Sequence, residues 1–553
     1  MSFYSEASLA YVASAGASKD GKAYSMKPVD GTGDFTFSRG SNLAATRVGP
    51  TGLIEKGREN LLTQSNTFSS TDWNNERFVS PIQTGFTGYD GSSDAWKLIP
   101  TTDNNTHRIS QLNSQTGVKT FSVYLKESGY SKVRILAFQG NNNIWEFDLN
   151  AGVTIGAPSY AIEYKAANVG NDWWRLQLTS QEAHTAYYVF VLDDLGNLNF
   201  AGDGVKGVLI QDAQLEIGLA ATEVISTGAT TGKAGLLEDE PRFDYSGGAT
   251  CPSLLLEPSR TNLVRLSEAV TPGSYGWTLG SGTTLTLNDA ISPEGVKNAF
   301  RLDIPTAINT TLVRCNVLES TQYTFSFYVK RGTATELKYS VFNFSTLGNI
   351  VATTSYFSQT NTNDFVRIVV PFTTPVGCTD VGVYLDRDSG ANGSAWFYGI
   401  QVEAGSYPTS YIPNHSGGTI TRGDDDASNT GTIDADNDFT FYFESTLMAE
   451  YFTDKYFNST NFGYLSGYNI SGNNLRHRFG GTNYGFTAPE GVFKYLIRKD
   501  STNMKIYLNG TLERTITTLP TGTGDLNLLG GKVHKTLYFP EALSDADCIT
   551  LTT

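Results

Sequence analysis

Apolar and polar residues alternate in short runs along most of this chain. Phe121, Val123 and Leu125 are interleaved with Ser122, Tyr124 and Lys126, and Phe325, Phe327 and Val329 are interleaved in the same way with Ser326, Tyr328 and Lys330. A period of two places the apolar side chains on one face of an extended strand, so these runs predict half-buried β-strands. Further runs of this kind lie at 133–138, 174–178 and 187–192, and again at 338–344, 366–372 and 381–385. Clusters of Gly, Asn and Asp, such as 139–143 and 386–390, separate them with turn-forming residues. Evenly spaced short strands with turns between them predict β-sandwiches. No long 3.6-residue period and no heptad run is present, which argues against a helical bundle or coiled-coil stalk.

The runs occur twice in the same order. Glu55-Lys-Gly-Arg58-Glu-Asn60-Leu61 matches Glu257-Pro-Ser-Arg260-Thr-Asn262-Leu263 at an offset of 202. The strands at 121–126 and 325–330 follow, then Asp172-Trp173-Trp174-Arg175 against Asp364-Phe365-Val366-Arg367. Each copy closes on Gln-x-Glu-x-Gly, with Glu216 in the first and Glu403 in the second. Ordered matches with small drifts in offset indicate a duplicated domain. Residues shared by both copies, Arg58, Asn60, Arg260, Asn262, Glu216 and Glu403 among them, are expected to build the fold. Residues peculiar to one copy are where binding is to be sought.

A chain of 553 residues exceeds what one core supports. The repeat divides it into an N-terminal segment with a β lead-in (1–57), a first β-sandwich copy (58–232), a hairpin-like lead-in (233–259), a second copy (260–423) and a C-terminal domain (424–553). That last block carries the alternating strand 504–508, which ends in an Asn509-Gly510 turn. Aromatics make up 12% and charged residues only 17%, which suits an all-β protein. A net charge of −15 argues against nucleic-acid binding, and no apolar run is long enough for membrane insertion as a helix. The first residues lack the basic start of a secretory signal. The four cysteines, widely spaced and without CxxC, are expected to be free thiols rather than a disulfide framework or zinc site.

The combination resembles known modules. The Asn60-Leu61-Leu62 start, Trp73, the 121–126 strand, the Asp-Trp-Trp-Arg run and Gln-x-Glu-x-Gly resemble carbohydrate-binding-module-like jelly rolls in both copies. The C-terminal block, with Gly530-Gly531 and 538–545, resembles concanavalin A-like (laminin-G-like) lectin domains. The lead-in 33–55 is similar to segments of bacteriophage tail-fibre and virion-surface adhesins. The resemblance implies an all-β chain of tandem jelly rolls, a short N-terminal anchor segment and a distal lectin-like sandwich. It further implies a non-enzymatic homotrimer, assembled in the host cytoplasm and displayed on the virion surface. Its partners would be a tail or capsid protein through the N-terminus and a host surface polysaccharide or glycoprotein. The alternative is a structural decoration or spacer that binds only other virion proteins. A polysaccharide depolymerase, a third option, would need more β-helix than this chain can hold.

A sugar site needs an aromatic platform edged by polar side chains. Trp145 has no aromatic counterpart in the second copy, and Asn143 and Glu146 flank it. It is read either as a ligand platform or as a strand residue covered by a neighbouring domain or subunit. The Tyr- and Asn-rich stretch of the last domain supplies a second candidate surface, at Tyr464, Tyr468 and Tyr484. No cofactor is expected, apart from structural calcium, for which Asp386 and Asp388 offer oxygen ligands without EF-hand spacing. The five histidines are dispersed with no HExxH pattern, and nothing singles out a catalytic carboxylate pair.

Overall fold

The structure is a computed structural model. It describes the chain except residues 1–2, 17, 42, 140–141, 182–183, 306–309, 388–391, 448–454, 469–473 and 488–490. The described chain is all-β save for short helical pieces, of which Asp545–Thr552 is the longest. Each copy of the repeat is a two-sheet sandwich.

In the first jelly roll one sheet runs, in spatial order, Ala161–Gly170, Trp173–Ser180, Lys119–Ser128, Gly207–Ile217, Ala95–Leu98 and Gln83–Phe86. The opposite sheet runs Val153–Gly156, Asn143–Asp148, Lys132–Phe138, Ala186–Val191 and Asn105–Leu112, and Asn74–Glu76 also pairs with the last of these. Phe121, Val123 and Leu125 meet Val133, Ile135 and Val189 in the core between them, as the alternation predicts.

The second jelly roll repeats this plan. Gln322–Arg331 stands between Val366–Thr373 and Gly393–Ala404, facing a sheet that contains Thr310–Asn316, Asp380–Arg387 and Lys338–Asn343. Even the irregularity is duplicated. The register shifts between Ser122 and Tyr124 and between Ser326 and Tyr328, opposite Asp212 at φ 45° and Gly399 at φ 62°. Two residues against one is a β-bulge, which turns the local twist.

The repeated Asn residues explain why both copies begin alike. Asn60 Nδ2 donates to the carbonyls of Ala213 (3.2 Å) and Ile225 (2.9 Å), while its Oδ1 accepts from Leu62 N and Leu215 N. Asn262 makes the same four bonds, to Ile400, Ile412, Val264 and Val402. Glu216 accepts from Gln214 Nε2, Thr222 N and Thr222 Oγ1; Glu403 does the same with Gln401 and Thr409. A single buried amide thus satisfies four groups of the last strand and of the segments flanking the first and last strands of each module, which fixes that sequence pattern. The arginines differ between copies. Arg58 donates to Glu294 of the second module (2.6 Å), whereas Arg260 lies 5.5 Å from the Tyr407 ring.

The C-terminal sandwich is not confined to 424–553. Its first sheet places Gly531–Phe539 beside Phe439–Leu447, and the other edge of Gly531–Phe539 takes two short partners. Residues 9–12 pair with 535–538, and residues 254–256 pair with 531–533. Its second sheet begins with Ser18–Lys19, Lys22–Ala23 and Phe35–Ser38, the last of which pairs with Asp426–Asp434. Leu9, Tyr11, Phe35, Phe37, Leu254 and Leu256 therefore share one core with Phe441, Phe457 and Tyr495. The lead-ins drawn at 1–57 and 233–259 are corrected accordingly: much of both is integral to this sandwich. The physical reason is edge closure. Gly531–Phe539 has an open backbone edge, and the apolar faces of the lead-in strands, each buried side chain contributing roughly 1.5–3 kcal/mol, have no core of their own.

At the junction, charges from four segments are buried together. Arg242 pairs with Asp425 and with Glu257 (2.8 Å), Arg422 also reaches Glu257 (2.8 Å), and Arg39 approaches Asp425 at 3.4 Å. Glu257, the first residue of the second repeated motif, thus ties its module to the C-terminal sandwich.

Candidate functional site

Strand parity decides where the sequence candidates point. On Asn143–Asp148, Trp145 and Phe147 face inward, and Trp145 is 1% exposed. Its indole donates to Thr154 Oγ1 at 3.1 Å, and its ring packs 5.6 Å from that of Tyr164. A buried indole offers no open stacking face, so Trp145 is core rather than a ligand platform. Asn143 is buried as well, within 3.2 Å of His184 Nε2, and accepts from Tyr160 N. Glu146 points the other way, into solvent, where it accepts from Arg134 Nε at 2.9 Å.

That outward face carries an aromatic surface. One cross-strand row reads Glu146, Arg134, Phe190, Arg108 and Glu76. The adjacent row reads Ile144, Leu136, Tyr188 and Ser110. Arg108 lies 5.0 Å from the Tyr188 ring and 5.7 Å from that of Phe190, and Arg134 lies 6.0 Å from Phe190. Phe138, 44% exposed, stands edge-on to Tyr188 at 5.9 Å, and Tyr188 continues to Phe190 at 5.8 Å. Each guanidinium is held at its far side by a carboxylate: Arg108 by Glu76 (2.8 Å), Arg134 by Glu146. Phe190 itself is only 3% exposed beneath the two guanidinium groups, so the open rings are those of Phe138 and Tyr188, with fixed donors and acceptors beside them.

The corresponding sheet of the second jelly roll presents a version of this surface. Tyr384 and Phe342 lie 4.4 and 5.0 Å from the Arg387 guanidinium, and Phe344 lies 4.3 Å from that of Arg314. Arg314 pairs with Asp380 and, together with Arg265 and Asn316, lines an adjoining cavity of 350 Å³. The signal for both faces was present in the sequence as Tyr187-Tyr188-Val189-Phe190 and 342–344. Alternation assigns these runs to strands without deciding which of their aromatics face outward.

Tyr464 and Tyr484 of the last domain fall in adjacent cross-strand rows and so point to opposite faces of their sheet. Tyr464 sits opposite Arg478 with the Lys455 ammonium 4.6 Å from its ring, and the hydrogen bond with Arg478 holds its phenol below the usual range. Tyr484 pairs in the row of Leu465 and His477 and packs against the core. Tyr468 ends the strand Gly463–Tyr468. For calcium, Asp386 is a buried residue of Asp380–Arg387, and Asp388 lies outside the described residues. Among the described residues no group of three or more His, Cys, Asp or Glu is placed to hold a metal ion, and no helix is long and apolar enough to cross a membrane.

No family model matches the chain, and no curated protein matches it. Among solved structures it is similar to the CBM22-1–CBM22-2 tandem domain of Xyn10C from Paenibacillus barcinonensis, with 14% identity over 62% of this chain and 97% of that one, at a TM-score of 0.21. Domain 4 of AbnA, a GH43 extracellular arabinanase from Geobacillus stearothermophilus, shares 15% identity over 24% of this chain and 73% of its own, at a TM-score of 0.19. The ANX2 ectodomain from Arabidopsis thaliana shares 10% identity over 63% and 92%, at 0.17. With likenesses this distant, fold and site rest on the chain's own geometry.

Proposed function

We propose that this chain is a non-catalytic glycan adhesin of a phage virion, a fibre or receptor-binding protein that grips host surface polysaccharide through its jelly-roll modules. The observation that carries the reading is the outward pair of rings Phe138 and Tyr188, with Arg108, Arg134 and Glu146 on the same face of the sheet. Pyranose rings present apolar C–H faces that suit such rings, and their hydroxyls suit paired guanidinium and carboxylate groups. Two modules on one chain, and three chains in a trimer, would raise weak single-site affinity by effective concentration. If the virion is met through the N-terminal segment, the sandwich that contains residues 9–12 and 535–538 sits at the attachment end, and the jelly rolls project from it.

The test is a glycan array probed with the full chain and with a Phe138→Ser/Tyr188→Ser double variant. Specific glycans bound by the parent and lost in the variant are expected. Release of oligosaccharide from a bound polysaccharide would overturn the non-catalytic reading, and a stable monomer by light scattering would overturn the trimer. The second reading, a spacer that binds only other virion proteins, is favoured by the same exposed apolar residues, since Phe138, Ile144 and Leu112 suit a protein partner as well. A silent array combined with capture of a virion protein would select it.

A further inference from the structure

The duplication exposes a second, independent site. Each module carries a tyrosine with a guanidinium beside it on the bulged sheet: Tyr124 with Arg175 at 5.3 Å, and Tyr328 with Arg367 at 5.4 Å. Both arginines are held identically. Arg175 donates to Thr222 O and Ser122 Oγ, and Arg367 donates to Thr409 O and Ser326 Oγ.

What lies against the two tyrosines differs. In the first module Tyr89 is stacked on Tyr124, centroids 3.7 Å apart and planes 6° from parallel, and its hydroxyl donates to Asp212 at 3.0 Å. In the second module the bulge position of Asp212 is taken by Gly399, which has no carboxylate to hold such a ring. The neighbouring ring of Tyr398 stands 6.0 Å from Tyr328 and is tilted by 54°, and is not stacked upon it. Tyr328 instead lines a cavity of 250 Å³.

The walls of this cavity come from segments far apart in sequence. Ile54 and Leu255 from the two lead-ins give apolar sides, and Arg367 stands beside Tyr328. Asp244, Ser246 and Lys532 form the polar side. Lys532 Nζ bonds Asp244 Oδ2 (2.9 Å) and Ser246 Oγ, which uses two of its three ammonium protons. Asp244 in turn accepts from Val48 N, Ser246 N and Ser246 Oγ, so the cluster is fixed in place and the third Lys532 proton is its free donor. The cavity lining thus combines a tyrosine ring with a pre-positioned ammonium, hydroxyl and carboxylate.

We propose that this cavity binds one pyranose ring, its C–H face on Tyr328 where the first module supplies Tyr89, and its hydroxyls at the Lys532–Asp244–Ser246 cluster. The volume admits a single ring and not a chain, so the ligand is a free monosaccharide or the terminal residue of a glycan. The site is separate from the aromatic faces of the opposite sheets. Because its walls belong to both lead-ins, the second module and the C-terminal sandwich, a bound sugar also stiffens their junction and raises the melting temperature by linkage.

Titration calorimetry on the full chain tests this, with free hexoses, N-acetylhexosamines and hexuronates, each alone and as the end group of a trisaccharide. One saturable site per chain is expected for at least one sugar. A trisaccharide bound more tightly than its free end sugar identifies a glycan terminus, and equal affinity identifies a free monosaccharide. Tyr328→Ala lowers affinity by about tenfold through loss of the stacking face. Lys532→Met, which keeps the stem and its packing, weakens binding in the same direction and covers the case in which Tyr328→Ala does not fold. Phe138→Ser/Tyr188→Ser leaves this binding unchanged, so the cavity and the adhesion face fail or succeed separately. No saturable binding by any of these sugars, or binding indifferent to both Tyr328→Ala and Lys532→Met, overturns the proposal.

Discussion

Ser8 and Tyr538, 530 positions apart, are joined twice: the Ser8 amide donates to the Tyr538 carbonyl at 2.9 Å, and Ser8 Oγ reaches the same oxygen at 3.2 Å. This contact opens the pairing of residues 9–12 with 535–538, and it makes the first strand of the chain a structural part of the last domain.

Tyr11 is fully buried in that shared core, edge-on to Phe35 at 5.3 Å. Tyr11→Ala is expected to cost roughly 3–5 kcal/mol, as for other large aromatic truncations. All seven tryptophans lie in the jelly rolls, between residues 73 and 396. Hydrogen exchange should therefore accelerate across Phe439–Leu447 and Gly531–Phe539, while the tryptophan-fluorescence transition of the modules stays in place. Unchanged exchange in those strands would show that residues 9–12 are dispensable there.

Glu257 governs acid behaviour at the junction. Burial alone would raise its pKa, but Arg422 and Arg242, with hydrogen bonds from Ser410, hold it at about 2, below the ordinary 4.5. A depressed carboxylate stabilises the fold above its unfolded pKa, and that stability is lost as pH falls from 4.5 through about 2. Glu257→Gln should flatten the pH dependence of denaturation in this window. At neutral pH it should cost roughly 3–5 kcal/mol, because two buried arginines lose their shared partner. A variant that keeps the parental acid slope would assign that slope to other carboxylates.

Trp145 and Tyr188 separate core from face. Trp145→Ala is expected to destabilise the first jelly roll by roughly 3–5 kcal/mol through the cavity it leaves. Tyr188→Ser, at a half-buried outward position, should leave the melting temperature nearly unchanged and weaken glycan binding. Thermal unfolding and array binding of the two variants, measured side by side, check the assignment; the opposite pattern would return Trp145 to the site.

The thiols give a simple check of packing. Cys251 is exposed, whereas Cys315, Cys378 and Cys548 are buried, and burial pushes Cys315 and Cys548 up to about 12. A thiol reagent at pH 8 should titrate one cysteine per native chain and four after denaturation. Rapid reaction of a second thiol in the native chain would contradict the packing around it.

Features that depend on local order alone were legible in the residue pattern. Period-two alternation set the strands and their inward faces at 121–125 and 325–329. The recurring Asn60/Asn262 and Glu216/Glu403 marked residues whose hydrogen bonds are the same in both copies, because a repeated backbone presents repeated donors and acceptors. Tertiary structure decided three other matters. It assigned the strands at 9–12, 35–38, 242–244 and 254–256 to the C-terminal sandwich, since an open strand edge accepts any segment of suitable apolarity, however distant in sequence. It turned Trp145 inward and Glu146 outward, because parity along a strand is fixed by the core it meets and not by the rarity of a residue. And it left Tyr328 beside a cavity where Tyr124 is covered by Tyr89, a difference between two matching motifs that arises wholly from what packs against them.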